Sequence, residues 1–307
     1  MSTGRSGLIA LALVIAVLPL LLPNTYYVNV AVLAGLNAIA CIGLNLLVGY
    51  AGQISLGHAG FFGIGAYASA ILSATYGWPP LLGIAAGLAG SGCLAFAVAR
   101  PILRLRGHYL AMATLGLGII VSIVLTQESQ LTGGPDGMPV PPLSLGGLAL
   151  VGESQWYALV GVLLWIAAWI SLNLARSPVG RALRALHASE VAAATAGVDV
   201  ARHKALVFVI SALFASLAGS LFAHYAGFIT PTKAGFLQSV ELITMVVLGG
   251  MASTFGAVVG AVILTALPQL FATFHEYEMV ALGAILMGIM IFLPKGLVPT
   301  LALLWRR

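Results

Sequence analysis

Long apolar runs recur along the whole of this chain, and they limit the folds that it can adopt. The runs lie at about 7–23, 28–48, 54–75, 81–99, 109–127, 156–174, 205–226 and 279–293, with a longer one at 239–271. A helix needs roughly 20 apolar residues to cross the hydrocarbon core of a bilayer. We therefore predict that these runs form transmembrane helices.

The composition excludes a soluble protein of this size. Of the 307 residues, 61% are hydrophobic and 7% are charged, whereas a soluble globular domain carries about 25% charged residues. So few charged side chains would leave most of the surface of a soluble protein apolar. The sequence predicts an all-α polytopic membrane protein that consists of one transmembrane domain, 1–307.

The basic residues predict the orientation of the chain in the membrane. Arg100, Arg104 and Arg106 share one loop, and five more Lys and Arg lie in the segment 175–204. The loop 128–155 between these two regions contains acidic residues and no Lys or Arg. Because basic residues are enriched in cytoplasmic loops, we predict that the 175–204 segment is cytoplasmic and that the 128–155 loop is periplasmic.

The run 239–271 decides the number of crossings. A single crossing would place the basic C-terminal end outside, whereas two crossings that break near GGMASTFG (249–256) place twelve of the 13 Lys and Arg inside. About 13 helical residues span only about 20 Å, which is less than the ~30 Å hydrocarbon core. Such crossings are expected to be oblique, shielded by neighbours or broken inside the protein. We predict about ten crossings, with both termini cytoplasmic.

Residues 45–67, NLLVGYAGQISLGHAGFFGIGAY, place glycines and polar side chains where an uninterrupted apolar helix would be simpler. Irregular backbone at membrane depth is tolerated only where protein or a water-filled cavity surrounds it. The segment is therefore expected inside the bundle. Its polar residues are candidates for a translocation path, namely Asn45, Gln53, Ser55, His58 and Tyr67. For His58 the alternative is a buried neutral histidine that is hydrogen-bonded to a carbonyl. Glu241 is expected to open a short helix, where a carboxylate suits the positive helix end.

A second glycine-rich region, 249–260, is similar to 49–66, because both combine small residues with aromatics at a broken span. Two interpretations stay open, an internal duplication of the kind found in transporters and the chance similarity of glycine-rich segments. The pairs Gly83-x-x-x-Gly87 and Gly256-x-x-x-Gly260 allow helices to approach closely. We expect both pairs to pack within one subunit rather than to form a dimer contact.

The motifs of common enzymes are missing from the sequence. There is no GxxxxGK[ST] phosphate loop, HExxH, CxxC pair or GxSxG, and nothing joins a nucleophile to a base. We predict a chain that is not an enzyme and that binds no cofactor, metal or nucleic acid. Few charges fall within the predicted spans, which argues against an ion-coupled pump. Energy for transport is therefore expected from outside the bilayer.

The 175–204 segment reads ARSPVGRALRALHASEVAAATAGVDVARHK. Ser177-Pro178 indicates a helix start, and the alanine-rich stretch from Gly180 to Ala196 indicates an amphipathic helix that ends at Gly197. The sequence allows two roles for it. It is either an interfacial helix that binds anionic lipid or a docking helix for a soluble partner.

Five motifs occur in a familiar order: NLLVGYAGQISLGHAGFFGIGAYASA, LTGGPDG at 131–137, GRALRAL…EVAAATAG, LGGMASTFGAVVGA and FLPKGL. The resemblance that they carry runs from roughly residue 30 to 299. In these motifs the chain resembles the membrane subunit of ABC importers for branched-chain amino acids, and within that family the longer, M-type permease.

The resemblance implies a multi-pass subunit of the bacterial inner membrane and a set of partners. These are a second, related permease that forms a heterodimer, two cytoplasmic ATPases that use ATP and Mg²⁺, and a periplasmic substrate-binding protein. It also implies that residues 177–197 form the coupling element that enters a cleft of an ATPase. The positions that match the family's motif are Arg181, Ala182, Arg184, Ala185, Glu190, Ala192, Ala193 and Gly197. His187-Ala188-Ser189 departs from the acidic step that is common before the glutamate.

The resemblance further implies alternating access, in which ATP binding moves the coupling elements and the bundle rocks between outward-open and inward-open states. Other functions stay open at this point. Closely similar permeases carry urea or short-chain amides, and an ion-coupled secondary amino acid carrier or a non-transporting scaffold are functions of other classes.

Overall fold

Helices form nearly all of the regular structure. The computed structural model describes residues 2–21, 24–103, 105, 107–145, 148–271, 283, 287–288, 291 and 296–304. In chain order the α-helices are α1 (Ser2–Leu21), α2 (Thr25–Asn45), α3 (His58–Ala74), α4 (Pro80–Ile102), α5 (His108–Gln127), α6 (Ser129–Thr132), α7 (Glu153–Arg176), α8 (Pro178–Ala188), α9 (Glu190–Thr195), α10 (Val200–Ala226), α11 (Phe236–Gly249), α12 (Thr254–Phe271) and α13 (Leu297–Leu304).

Short elements complete the described chain. A π-helix, Leu46–Tyr50, continues α2, and 3₁₀ helices lie at Gly134–Asp136 and Pro231–Ala234. Two antiparallel ladders of two-residue strands pair β1 (Met138–Pro139) with β4 (Phe228–Ile229), and β2 (Ser144–Leu145) with β3 (Leu148–Ala149).

The predicted class, an all-α polytopic membrane protein, is confirmed. Within the described residues, six helices are long and apolar enough to cross a membrane, namely Gly4–Leu21, Thr25–Tyr50, Pro80–Ile102, His108–Gln127, Glu153–Arg176 and Val200–Ala226. Six of the predicted runs fall on these helices. The run predicted at 279–293 lies almost wholly outside the described residues, so the count of ten crossings stays a prediction.

Two predicted spans differ in detail from the observed helices. The span predicted at 54–75 becomes helical only at His58, because a non-helical first break, 52–57, precedes it and Gly52 has φ +67°. The run 239–271 divides into α11 and α12, as predicted, at a second break, 250–253. With 18 residues α12 is longer than the short crossing expected, since it reaches about 27 Å at about 1.5 Å per residue.

The 175–204 segment contains two helices where the sequence predicts one. Ser177 begins α8, and its hydroxyl accepts a hydrogen bond from the N–H of Gly180 at 3.3 Å. Ser189 ends α8 in an extended conformation, and its hydroxyl accepts from the N–H of Ala192 at 3.3 Å to begin α9. A serine hydroxyl stabilises a helix start in this way. The prediction of one continuous helix is therefore wrong at Ser189.

The C-terminal boundary predicted at Gly197 is confirmed. Gly197 follows α9 with φ +84°. The N–H of Val198 bonds to the carbonyl of Ala193, and the N–H of Gly197 bonds to the carbonyl of Ala194, both at 3.0 Å. This pair of bonds is a Schellman motif, in which glycine supplies the left-handed residue.

The helices α3 and α10 run parallel, and polar side chains join them. Three buried hydrogen bonds join them: His58 Nε2 with Ser211 Oγ (2.6 Å), Ser220 Oγ with the Gly65 carbonyl (2.9 Å), and Ser69 Oγ with His224 Nε2 (2.7 Å). A Cβ on Gly219 would lie 1.9 Å from the Phe62 carbonyl oxygen. Small residues thus allow backbone contact, and hydroxyls and imidazoles join the two helices.

The other glycine pairs also pack within the chain, as predicted. A Cβ on Gly83 would lie 3.0 Å from the Ser69 carbonyl oxygen, and one on Gly87 would lie 3.1 Å from the Gly65 carbonyl oxygen. Both contacts join α4 to α3. The pair on α12 packs against α11 in the same manner. These glycines therefore serve the packing of one subunit.

The centre and the periphery of the bundle differ in burial. Most of α2 is buried, and it packs against α7, α10 and α12. In contrast, α1, α4 and α5 expose large apolar side chains, among them Leu13, Phe96 and Ile120. Exposed apolar surface of this extent is expected where a protein contacts lipid.

Replacing Gly219 by alanine tests the close approach of α3 and α10. The added Cβ would lie 1.9 Å from a backbone oxygen, so the helices must separate. We expect the free energy of unfolding to fall by about 1–3 kcal/mol, measured as a lower midpoint of thermal unfolding in detergent. Gly90→Ala on α4 is the matched control, because its Cβ meets no described atom within 4 Å. An unchanged midpoint for Gly219→Ala would contradict the packing described here.

Candidate functional site

Two interrupted helices meet inside the bundle. The π-helix Leu46–Tyr50 and the first break follow α2, and the second break separates α11 from α12. Asn45 Oδ1 accepts a hydrogen bond from the backbone N–H of Ala252 in the second break, at 2.9 Å. A Cβ on Gly49 would lie 2.3 Å from the same nitrogen. The interrupted helices therefore contact each other, and an amide that the second break frees from helical bonding is paired by a side chain.

His58 lies at the start of α3, directly after the first break. Its Nδ1 is 2.8 Å from Ser55 Oγ and its Nε2 is 2.6 Å from Ser211 Oγ. The rings of Phe61 and Phe208 surround it edge-on. The histidine is buried, as one alternative predicts, but its partners are hydroxyls rather than a carbonyl. It joins the first break, α3 and α10 at one point.

All five residues proposed from the sequence for a translocation path are buried. The Tyr67 hydroxyl donates to the Ile229 carbonyl at 3.5 Å. Within the described part of the chain, Asn45 Nδ2 and Gln53 Oε1 have no hydrogen-bond partner. The five are distributed over α2, the first break and α3, and none lines the cavity described below. Their role in a translocation path stays a prediction.

The 175–204 segment presents one face outward and packs the other on the bundle. Leu183 and Leu186 are buried, in an apolar cluster with α10 and the π-helix. Of the eight residues that the resemblance assigns to coupling, five are exposed, namely Arg181, Arg184, Ala185, Ala192 and Gly197. Ala182 and Glu190 are half-buried, and Ala193 is buried. The exposed face is therefore basic on α8 and small and apolar on α9.

A direct contact links α8 to the interrupted helix. His187 Nδ1 donates to the Gly49 carbonyl oxygen at 2.9 Å, and a Cβ on Gly52 would lie 3.2 Å from the His187 ring. Leu186 shares its apolar cluster with Leu46. In the sequence His187 is a departure from the family's motif. In the structure it joins the outward-facing segment to the first interrupted helix.

Several charged residues of the segment have partners within the chain. Glu190 forms an ion pair with Lys204, whose side chain is 3% exposed. Arg184 Nη1 donates to the Ala175 carbonyl at 2.7 Å, at the end of α7. The ion pair joins the start of α9 to α10, so Glu190 has a structural role that its match to the coupling motif did not indicate.

A cavity of about 770 Å³ lies at the opposite end of the bundle. We call it the loop-side cavity, because residues of the 128–155 loop line it. The N–H of Val140 bonds to the Gly227 carbonyl at 2.9 Å, and His224 Nδ1 is 2.8 Å from the Pro141 carbonyl oxygen. The cavity walls come from α2, α3, α7, α10, α11 and α12. These hydrogen bonds join the loop to the end of α10 beside the cavity.

The loop-side cavity combines aromatic walls with charges of both signs. Its charged residues are Glu153, Lys233 and Glu241. Tyr225 OH donates to Glu153 Oε2 at 3.1 Å, and Asn29 Nδ2 is 3.5 Å from Glu153 Oε1. These contacts hold the Glu153 carboxylate at the start of α7.

Sequence reasoning missed this cavity. It assigned no role to Lys233, and it placed Glu241 at a helix start, whereas α11 begins at Phe236 and Glu241 lies in its second turn. Six helices, the 128–155 loop and the segment that follows α10 contribute the lining. No spacing along the chain reveals that these segments converge. The one available signal was a charge at the end of each of several spans.

Comparison with known proteins decides the family. Residues 26–293 match the family described as "Branched-chain amino acid transport system / permease component". The chain belongs to this family. The resemblance that the five motifs indicate is therefore confirmed, and so is the description of the chain as a multi-pass membrane permease.

Individual relatives are similar over most of their length. The chain is 38% identical to the high-affinity branched-chain amino acid transport system permease protein LivM of Salmonella typhimurium, over 97% of this chain and 76% of that protein. It is 28% identical to LivH of Escherichia coli, over 88% and 93% of the two chains. It is also 28% identical to the ribose import permease protein RbsC of Escherichia coli, over 84% and 81%. No solved structure matches.

Removing the Glu190 carboxylate tests its ion pair with Lys204. Glu190→Gln would leave the buried Lys204 ammonium without its countercharge. We expect the free energy of unfolding to fall by about 3 kcal/mol, seen as a lower thermal midpoint in detergent. The double variant Glu190→Gln, Lys204→Met should recover most of the lost free energy of unfolding, because it contains neither charge.

Glu128→Gln, which removes an exposed carboxylate at the other end of the bundle, is the control and should leave the midpoint unchanged. If the losses of the two single variants simply add in the double variant, the two side chains do not act as a pair.

Proposed function

We propose that this chain is the permease subunit of an ABC importer that carries branched-chain amino acids across the bacterial inner membrane into the cytoplasm. The observation that carries the proposal is the 38% identity to LivM over 97% of the chain. A second, related permease completes the pore, and two cytoplasmic ATPases use ATP and Mg²⁺ to drive it. A periplasmic binding protein delivers the substrate.

Two features support branched-chain amino acids as the cargo. The names of the LivM and LivH relatives state that they belong to branched-chain amino acid transport systems. The chain is 38% identical to LivM and 28% identical to the ribose permease. The bundle has few buried charges along its spans, which suits an apolar side chain better than an ion. Urea and short-chain amides are the competing cargoes within the family.

The exposed face of α8 and α9 is proposed to bind an ATPase. Arg181 and Ala185 are exposed on α8. Val191, 65% exposed on α9, adds an apolar contact in a segment that is otherwise mostly small. An element whose apolar side packs on the bundle and whose basic side faces outward is suited to an acidic surface on a soluble partner. In this proposal the segment lies on the cytoplasmic side.

Two hydrogen bonds connect α8 to the interrupted helices inside the membrane. The bond from His187 to the Gly49 carbonyl links α8 to the π-helix, and the bond between Asn45 and Ala252 links the same region to the second break. Breaks in helices concentrate conformational change because few backbone bonds hold them. The joined pair α3 and α10 then moves as one body. We propose that ATP binding drives alternating access through this route.

Transport by a reconstituted complex tests the proposal. Proteoliposomes that contain this chain, its sister permease and the ATPases are expected to take up leucine only with ATP and the binding protein present. Omission of any one component is the control and should abolish uptake. Uptake that a proton or sodium gradient drives without ATP would instead assign the chain to the secondary carriers.

Charge reversal at Arg181 tests the docking face. Arg181→Glu changes an exposed residue of α8, so we expect weaker ATPase association and at least a tenfold loss of uptake with an unchanged thermal midpoint. Arg100→Glu is the matched control, since Arg100 is exposed at the end of α4 outside the segment. Equal association and uptake in the two variants would remove α8 from the proposed interface. Membrane orientation is checked in both variants, because basic residues influence topology.

A further inference from the structure

We propose that the loop-side cavity is a receiving site for a zwitterionic amino acid with an apolar side chain. This inference rests on the proposed function for the direction of transport. It goes further in naming a site within this chain and in choosing between the cargo classes, because the cavity is suited to a zwitterion and not to urea or a neutral amide.

The position of the cavity suits the entry of a substrate. It lies at the end of the bundle away from α8 and α9, and residues of the 128–155 loop contribute to its lining. In the proposed orientation that end faces the periplasm, where the binding protein releases its ligand. The volume, about 770 Å³, falls within the range of about 300–1,000 Å³ of small-molecule sites. A single amino acid fits there together with water.

The charges of the cavity match the two charges of an amino acid. Lys233 supplies a cation for the α-carboxylate, and Glu153 and Glu241 supply anions for the α-ammonium. Charged side chains in a cavity cost free energy when they have no countercharge. A zwitterion supplies both countercharges at once, whereas urea and neutral amides supply none. Charges of both signs therefore favour a zwitterion.

Contacts within the cavity orient two of these charges. Tyr225 OH bonds to one oxygen of Glu153, and the carboxylate still has acceptor sites for a ligand ammonium. The Lys233 ammonium lies 5.2 Å from the centroid of the Phe222 ring. A cation over an aromatic face is held in place and can still donate to a carboxylate. The cavity is thus partly organised before a ligand enters.

The remaining wall suits a branched aliphatic side chain. Phe62, Trp156, Leu33 and Leu264 line the cavity beside the charged residues. Apolar walls with a few placed polar groups are typical of small-molecule sites. An apolar side chain against these residues, with the ammonium and carboxylate toward Glu241 and Lys233, uses both parts of the lining.

Protection of an introduced cysteine tests the site directly. The variant Thr265→Cys places a thiol in the cavity wall, and Cys93→Ala removes the exposed native thiol, whereas Cys41 is buried. The assembled complex is labelled with a polar maleimide without ATP, in the presence of leucine, 4-methylpentanoate or urea. We expect leucine alone to slow labelling. A cysteine at the exposed Gln130, outside the cavity, is the control and should label at the same rate throughout.

Charge variants separate binding from structural effects. Lys233→Met and Glu241→Gln should each raise the leucine concentration that gives half protection by at least tenfold. Lys233→Arg keeps the charge and should stay within a few-fold of the wild type, which shows that position 233 tolerates substitution. The thermal midpoint of each variant is measured alongside.

Three results would overturn the inference: no protection by leucine, equal protection by all three compounds, or equal behaviour of Lys233→Met and Lys233→Arg. Each is separable from failure of the proposed function. A complex that imports leucine with ATP while the cysteine labels at an unchanged rate rejects the site alone. A complex without ATP-driven amino acid uptake rejects the proposed function, whatever the labelling result.

Discussion

The rest of the structure depends on the pairing of backbone amides where two helices are interrupted. Inside a bilayer an unpaired amide costs several kcal/mol, so a broken helix persists only when protein surrounds the break. Here Asn45 pairs the free N–H of Ala252, and a Cβ on Gly49 would lie 2.3 Å from the same nitrogen, so the end of the first interrupted helix packs against the second break. The surrounding helices supply the enclosure that this arrangement needs.

That requirement accounts for the distribution of small and polar residues. Glycines allow α3 and α10 to touch through their backbones, and serine and histidine side chains bond across the same contact. Because lipid tails are as apolar as leucine, hydrophobic burial does not drive helices together in a membrane. Close packing and hydrogen bonds between helices make their association specific instead. In the proposed mechanism this joined pair of helices rocks as one body while the two breaks absorb the change in backbone angles.

The functional regions lie at the two ends of this arrangement. At one end α8 and α9 expose a basic and small-residue face, and His187 connects that face to the interrupted helix. At the other end the loop-side cavity holds charges of both signs between aromatic walls. The polar residues of the segment 45–67 lie between these regions. Their hydrogen-bond partners are other polar side chains and backbone groups. His58, for example, is enclosed by two hydroxyls and two aromatic rings.

The sequence by itself determined the membrane class, most of the long helices, the division of 239–271 and the family, because hydropathy and short motifs are local properties of the chain. The helix end at Gly197 could also be predicted, since the left-handed residue that ends a helix is usually glycine. Only the tertiary structure decided that Ser189 divides the 175–204 segment, that Glu190 pairs with Lys204, and that Glu241 faces a cavity. The ion pair and the cavity depend on which side chains meet across separate elements, and no spacing along the chain records such meetings. The division at Ser189 is a local helix start, but it lies within an alanine-rich stretch whose pattern favours one continuous helix.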